Sequence, residues 1–199
     1  MEINEAYRIA KKIDGWCSKT DGRLLYKLVL ESDNKTIVEL GTWKGKSAIY
    51  LAAALNKQNS GMLYCVDRWI GDESKSYIQS TEGYSKDQLF NEFLFNVSSL
   101  ASKIKPLRGD TIEINKLWPI CSKIGLLHID AGHKYEEVKR DFELWSPLVD
   151  INGIIVFDDV PAKPGPTRLV SELPKQFAPI NEVSNNKFIV KKVSDAKEI

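Results

Sequence analysis

The chain has 199 residues, of which 43% are hydrophobic and 28% charged, and its formal net charge is +1. This length suits a single domain with a sizeable core, and the composition is ordinary for a globular protein. The nearly neutral charge gives no reason to expect nucleic acid or an anionic membrane as a partner. No apolar run approaches the ~20 residues that a membrane-spanning helix needs.

The N-terminus and the cysteines predict a cytoplasmic location. Residues 1–5 are acidic and polar, unlike the basic and then apolar start of a secretion signal. Cys17, Cys65 and Cys121 are few, odd in number and widely spaced. This pattern predicts reduced thiols rather than disulfides or a zinc site.

Two helices are expected before the first strand. Apolar residues recur at helical spacing over residues 3–16, and a second helical segment covers about 23–30. We expect residues 1–35 to form a helical segment that packs on the core, while residues 36–199 form that core within one domain. The amphipathic first helix also allows contact with another subunit, as in a homo-oligomer.

Five segments are strand candidates, with helical stretches between most of them. They cover residues 36–40, 62–66, 104–108, 124–129 and 153–157. This alternation predicts right-handed crossovers and a mostly parallel, doubly wound α/β sheet. A short helix over 167–176 and a hairpin from 177–183 and 187–193 are expected to close the sheet with an antiparallel strand.

The turn after the first strand has two glycines four residues apart, in Glu39-Leu40-Gly41-Thr42-Trp43-Lys44-Gly45-Lys46-Ser47. In an open α/β sheet this turn lies at the carboxyl ends of the strands, where nucleotide-like ligands bind. A Walker A loop needs one more residue between the glycines, and a dinucleotide fingerprint needs glycine where Trp43 stands. A turn that uses its glycines only for packing is the alternative interpretation.

Polar residues follow the second and third strands. Asp67 lies 22 residues beyond Gly45, the distance at which an acid accepts hydrogen bonds from ribose hydroxyls. Trp69 either flanks an adenine ring or packs in the core. Asp110 either lies near an adenine amino group or caps a helix. The polar segment 72–86 is either an active-site lid or a solvated connection.

Three carboxylates are expected at one edge of the sheet. Asp130 follows the fourth strand, and Asp158 and Asp159 follow the fifth. Because like charges repel in a low dielectric, a divalent cation would resolve their conflict, and hard oxygen ligands suit Mg²⁺. The alternative is that only Asp130 lies in the pocket while the other two cap a turn.

Two histidines lie near these acids. His133 stands at the start of a helix and is a candidate general base, since an ordinary histidine pKa of about 6.5 allows proton transfer near neutral pH. A structural role is the alternative. His128 falls within an apolar strand and is expected to be a core residue.

These features together resemble a class I S-adenosylmethionine (SAM) methyltransferase, and more narrowly the bacterial macrocin-type sugar O-methyltransferases. The similarity covers residues 36–159, and its most specific parts are the stretches 67–72, 128–145 and 153–159. It implies one Rossmann-like domain with a mostly parallel seven-stranded sheet and an antiparallel C-terminal strand. Some relatives carry a further acid at the position of Gly132, so a mechanism that needs that acid does not transfer.

The resemblance also implies a set of ligands and roles. SAM would lie across the first turn, Mg²⁺ would be bound by Asp130, Asp158 and Asp159, and His133 with Asp130 would act on the hydroxyl of a small molecule such as a sugar. Cofactor contacts are expected from Glu39, Gly41, Thr42, Gly45, Ser47, Asp67, Arg68, Trp69, Asp110 and Thr111. A P-loop-like nucleotide-binding protein and a non-catalytic SAM-binding protein remain the alternatives.

Overall fold

The computed structural model describes residues 1–70, 81–85, 87–119, 122–181 and 184–195. The helices are α1 (Ile3–Ala10), α2 (Lys19–Glu31), α3 (Lys46–Lys57), α4 (Gln88–Val97), α5 (Thr111–Leu117), α6 (Tyr135–Trp145) and α7 (Pro164–Ser171), with short 3₁₀ helices at Ser98–Lys103 and Ser146–Leu148. The strands are β1 (Thr36–Leu40), β2 (Met62–Asp67), β3 (Ile104–Arg108), β4 (Ile124–Ile129), β5 (Val149–Asp158), β6 (Phe177–Pro179) and β7 (Lys187–Lys192).

The seven strands form one sheet in the order β3-β2-β1-β4-β5-β7-β6. Strands β1 to β5 are parallel, and β7 runs antiparallel to both β5 and β6. The predicted fold is therefore confirmed, including the closing hairpin. The chain moves outward from β1 to β3 and then returns to the other side of β1 at β4, so the switch point of the sheet lies between β1 and β4.

The central strands β1 and β4 are mainly apolar because both faces of the sheet are covered there. Ile37 faces one buried cluster, which includes α1, α2, α3 and α4. Val38, its neighbour, faces a second cluster with α5, α6 and α7. The same alternation places Val156 and Phe157 of β5 on opposite sides. Helix α3 is buried along most of its length between α2 and the sheet, which its small alanine side chains permit.

The first helix is shorter than predicted. It ends at Ala10 rather than at residue 16, and the chain then turns at Gly15, whose φ of 133° favours glycine. The Nζ of Lys46 donates a hydrogen bond to the Gly15 carbonyl at 2.9 Å, which ties this turn to the start of α3. Helix α2 then begins with Ser18, whose side chain caps the backbone N–H of Asp21.

Two other predictions are only partly testable against the described residues. Cys17 and Cys65 are free thiols, as predicted, while Cys121 lies outside the described residues. Most of the predicted lid, residues 71–80 and 86, also lies outside them. In the part of the chain that the structure describes, no helix has the length and apolarity needed to cross a membrane.

A buried carboxylate links α5 to α6. Asp141 is 1% exposed, and its Oδ1 accepts a hydrogen bond from the Thr111 hydroxyl at 2.6 Å. Burial raises the pKa of Asp141 to about 6, against the opposing effects of Thr111 and Arg140. Ionisation of Asp141 therefore lowers the free energy of unfolding.

We expect Asp141→Asn to stabilise the protein in a pH-dependent way. Because the folded pKa lies above the ordinary 3.8, the wild type loses stability as the pH rises through about 6, by a total of about 3 kcal/mol. Asparagine keeps an oxygen for Thr111 and carries no charge. Urea unfolding at pH 4 and pH 8 should show that the free energy of unfolding of the variant, relative to the wild type, is larger at pH 8 than at pH 4. Glu143→Gln, exposed on the same helix, is the matched control. A difference that does not change with pH would contradict this assignment.

Candidate functional site

The turn between β1 and α3 lies at the switch point of the sheet. Gly41 has a φ of 82°, and a Cβ added there would lie 2.2 Å from the Asp130 carbonyl oxygen. Gly45 has a φ of 89°, and a Cβ there would lie 2.7 Å from Val97 Cγ1. Both glycines are thus required by contacts with the rest of the protein. Gly41 lets the β1 turn pack directly against the β4 turn that carries Asp130, and Gly45 lets it pack against α4.

Asp67 at the end of β2 braces this turn. Its Oδ2 accepts hydrogen bonds from the backbone N–H groups of Thr42 and Trp43 at 2.9 and 2.8 Å. Its Oδ1 accepts one from the N–H of Trp69 at 2.7 Å. Burial raises the pKa of Asp67, although the three backbone bonds oppose the rise. Asp67, the predicted acceptor for ribose hydroxyls, therefore stabilises the conformation of the first turn.

The structure corrects the role predicted for Trp69. Its indole is fully buried, packs on Phe90 and Phe93, and donates from Nε1 to the Trp43 carbonyl at 2.8 Å. A side chain with no exposed surface cannot flank an adenine ring, so the packing alternative holds. Arg68, its neighbour, is exposed at the end of β2.

Asp110 and Thr111 serve the start of α5. Asp110 Oδ1 accepts a hydrogen bond from the Ile112 N–H at 2.9 Å, so Asp110 is the helix cap that the sequence allowed. Its contact with an adenine ring stays a prediction. The Thr111 hydroxyl donates a hydrogen bond to Asp141 of α6, and the cofactor contact expected from Thr111 stays a prediction.

The lysines of the first turn hold the N-terminal segment. Lys44 is 2% exposed, and its Nζ lies 3.1 Å from Asp14 Oδ2, Glu92 Oε1 and the Tyr84 hydroxyl. These partners outweigh burial and raise the pKa of Lys44. Such a hub was not predicted, since its partners lie far apart in the chain. Nearby, the exposed ring of Trp16 stacks on Trp43 with 4.9 Å between ring centroids.

A P-loop is not formed here. In a P-loop the lysine of the Gly-Lys-Ser sequence reaches a bound phosphate, whereas the Lys46 ammonium bonds to the Gly15 carbonyl. Ser47 is buried in the first turn of α3. The geometry agrees with the spacing of the glycines in arguing against a Walker A loop.

Four buried charged or ionisable side chains form a row across adjacent strands. Glu39 Oε1 lies 3.0 Å from His128 Nδ1, and His128 Nε2 lies 3.4 Å from Asp158 Oδ2. The ammonium of Lys187 donates to the same Asp158 oxygen. Burial alone would lower the pKa of His128, but the carboxylates of Asp158 and Glu39 raise it. We name these four residues the charge row.

Asp130 lies beside the charge row. One ligand atom each of Asp130, His128 and Asp158 falls within 4.8 Å of the others. The pKa of Asp130 is raised well above its usual range, first by burial and then by the charge of Asp158, while Lys187 opposes the rise. The predicted pairing of Asp130 with Asp158 at this edge is therefore present.

Asp159 does not join that cluster. Its Oδ2 accepts from His133 Nε2 at 2.9 Å and its Oδ1 from Asn186 Nδ2 at 2.8 Å. The bond from His133 lowers the pKa of Asp159. The three acids follow β4 and β5 as expected, but Asp159 is not in the group around Asp130 and Asp158; it orients His133, a predicted base that is 38% exposed.

Two members of the charge row were not recognised from the sequence. His128 is buried as predicted, but it joins Glu39 to Asp158 and so belongs to the site. Lys187 is the first residue of the terminal strand, and in sequence it has no feature that distinguishes it from the other lysines. Its register opposite Asp158 is a property of the hairpin, which the sequence pattern does not specify.

The fold and site together define a class I methyltransferase: this strand order, a braced glycine turn at the switch point, and acids at the same edge. The O-methyltransferase TomG from Streptomyces achromogenes, solved with SAM, superposes with a TM-score of 0.68 at 19% identity, covering 97% of this chain and 89% of that one. The chain belongs to the methyltransferase domain family, since the model of that family matches residues 38–160.

Two curated relatives are each similar to about two thirds of the chain. The uncharacterized protein y4gI of Sinorhizobium fredii is 32% identical over 126 residues, which is 63% of this chain and 13% of that protein. The uncharacterized protein R132 of Acanthamoeba polyphaga mimivirus is 32% identical over 130 residues, 65% of this chain and 53% of that protein. The match thus spans only part of each relative's length.

We expect Gly41→Ala to destabilise the protein more than Gly83→Ala. Both glycines have a φ near 80°, but a Cβ at Gly83 meets nothing within 4 Å, whereas one at Gly41 meets the Asp130 carbonyl. The left-handed conformation costs alanine about 1–2 kcal/mol, and the clash should bring Gly41→Ala to roughly 3 kcal/mol or more. Urea unfolding of both variants measures the difference. Equal losses of stability in the two variants would show that the β1 turn does not pack tightly against the β4 turn.

Proposed function

We propose that the protein is a SAM-dependent O-methyltransferase that acts on the hydroxyl group of a small molecule. The observation that carries this proposal is the Asp67-braced turn at the switch point, next to the edge that holds Asp130 and His133. Membership of the methyltransferase domain family supports it, as does the likeness to an O-methyltransferase solved with SAM. A sugar or another polyol is the acceptor class that the sequence resemblance favours.

The residues around the first turn fit SAM. Glu39 Oε2 is a buried carboxylate oxygen for which the described residues provide no hydrogen-bond partner, and the cationic amino group of SAM is a suitable donor for it. Asp67 Oδ1 accepts one backbone bond, which leaves it capacity for a ribose hydroxyl. Gly41 would place its backbone against the ligand. When bound, SAM supplies a methyl group whose bond to sulfur breaks, with the electron pair kept by sulfur, as the acceptor oxygen bonds to the carbon.

The acceptor hydroxyl must lose its proton as it is methylated. His133 is the base that we propose, because Asp159 holds its Nε2 at 2.9 Å and so orients the ring. Because the reacting hydroxyl has one proton, which passes to His133, Asp130 would position the acceptor by accepting a hydrogen bond from a neighbouring hydroxyl of the same molecule. Holding the oxygen in line with the methyl group supplies much of the rate enhancement in such a reaction.

The Mg²⁺ expectation stays a prediction, and the donor set does not fit it as arranged. Asp159 bonds to His133 and Asn186. Asp158 already carries the Lys187 ammonium. A metal held by the three predicted acids would have to displace these partners, so the mechanism proposed here uses no metal.

We expect calorimetry to show SAM binding and no ATP binding by the purified protein. Asp67→Asn should weaken SAM binding about tenfold or more, because charged hydrogen bonds to the turn, about 1.5–3 kcal/mol each, are lost. Glu113→Gln, exposed on α5, is the control. ATP binding without SAM binding would overturn the methyltransferase proposal and favour a nucleotide-binding protein. SAM binding without transfer to any screened acceptor would favour the non-catalytic alternative.

We expect His133→Ala to lower kcat by about 10²–10⁴-fold and to leave SAM affinity unchanged. The acceptor would first be found by screening hydroxylated compounds for release of S-adenosylhomocysteine. Lys134→Ala removes an exposed neighbour and should keep full turnover. Full turnover in His133→Ala would exclude His133 as the base.

A further inference from the structure

The ammonium of Lys187 is built into the edge of the sheet. Lys187 is the first residue of β7 and stands directly opposite Asp158 in the antiparallel register with β5. Its side chain is 1% exposed, and its Nζ donates to Asp158 Oδ2. The strand pairing itself therefore positions this cation, since the contact does not depend on a flexible loop.

The Asp158 carboxylate is largely occupied by hydrogen-bond donors. Its Oδ1 accepts from the Asp159 N–H at 2.8 Å and from Asn186 Nδ2 at 3.2 Å, and its Oδ2 accepts from Lys187 Nζ. These three donors fill most of the roughly four lone-pair positions that a carboxylate offers. The His128 ring crowds the remaining side, with Nε2 at 3.4 Å from Oδ2 but without a hydrogen bond.

Charge balance leads to the same result. Two carboxylates, Asp130 and Asp158, would repel each other if buried without a cation. The ammonium of Lys187 bonds directly to Asp158 and so supplies such a cation. The site thus contains its own positive charge, and a divalent ion on Asp158 would be repelled by the adjacent ammonium.

We propose that Lys187 takes the place of the divalent cation at this site: its buried ammonium balances the charge of Asp158 and Asp130, so that methyl transfer needs no metal. The role of Lys187 in transfer rests on the proposed function, whereas its exclusion of metal does not.

Titration with Mn²⁺, followed by electron paramagnetic resonance, tests the exclusion of metal without SAM or an acceptor. The wild type should bind no Mn²⁺ below millimolar concentration. Lys187→Met removes the charge, keeps the length of the side chain, and should bind Mn²⁺ at least tenfold more tightly than the wild type. Lys187→Arg retains the charge and should bind none. Lys191→Met, on the exposed part of the same strand, is the matched control and should behave as the wild type.

The outcomes separate this proposal from the proposed function. Micromolar, one-to-one Mn²⁺ binding by the wild type that Asp158→Asn abolishes would overturn it, and this arm remains decisive even if Lys187→Met does not fold. A folded Lys187→Met variant that gains no Mn²⁺ affinity would also overturn it. Transfer by the wild type should persist in millimolar EDTA, and loss of transfer there would contradict the role of Lys187. Absence of SAM binding would instead overturn the proposed function and leave the Mn²⁺ result standing.

Discussion

The charge row constrains the rest of the site. Glu39, His128, Asp158 and Lys187 lie on β1, β4, β5 and β7, which are consecutive strands of the sheet. A single buried charge costs several kcal/mol unless a partner compensates it, and here acids alternate with basic groups so that each has a partner. Each contact requires the correct strand order and register. The polar edge is therefore a consequence of the fold rather than an addition to it.

The main strands could be predicted because their signal is local. Strands β1, β3 and β4 have the predicted bounds. Strands β1 and β4 are mainly apolar runs that are covered on both faces and end before a glycine or an acid, and the edge strand β3 ends before Gly109. The acids at the strand ends followed from the same reasoning, because the carboxyl ends of parallel strands share one edge. Asp67 and Asp130 were found in this way.

The partners of these acids could not be predicted, because they depend on contacts between distant parts of the chain. His128 has the surroundings of a core residue in sequence, and only the strand order β1-β4-β5 places acids on both sides of it. Lys187 meets Asp158 across 29 positions through an antiparallel register. The early end of α1 has the same kind of cause, since Lys46 binds the turn at Gly15.

The three acids that looked equivalent in sequence differ because their partners differ. Asp158 accepts hydrogen bonds from three donors and serves as the counterion of Lys187. Asp159 accepts hydrogen bonds from both His133 and Asn186, so it orients the proposed base. Asp130 is held against the β1 turn through Gly41, next to the turn where SAM is proposed to bind. In the proposed reaction this position makes Asp130 the acid that meets the acceptor, while the other two hold the cation and the base in place.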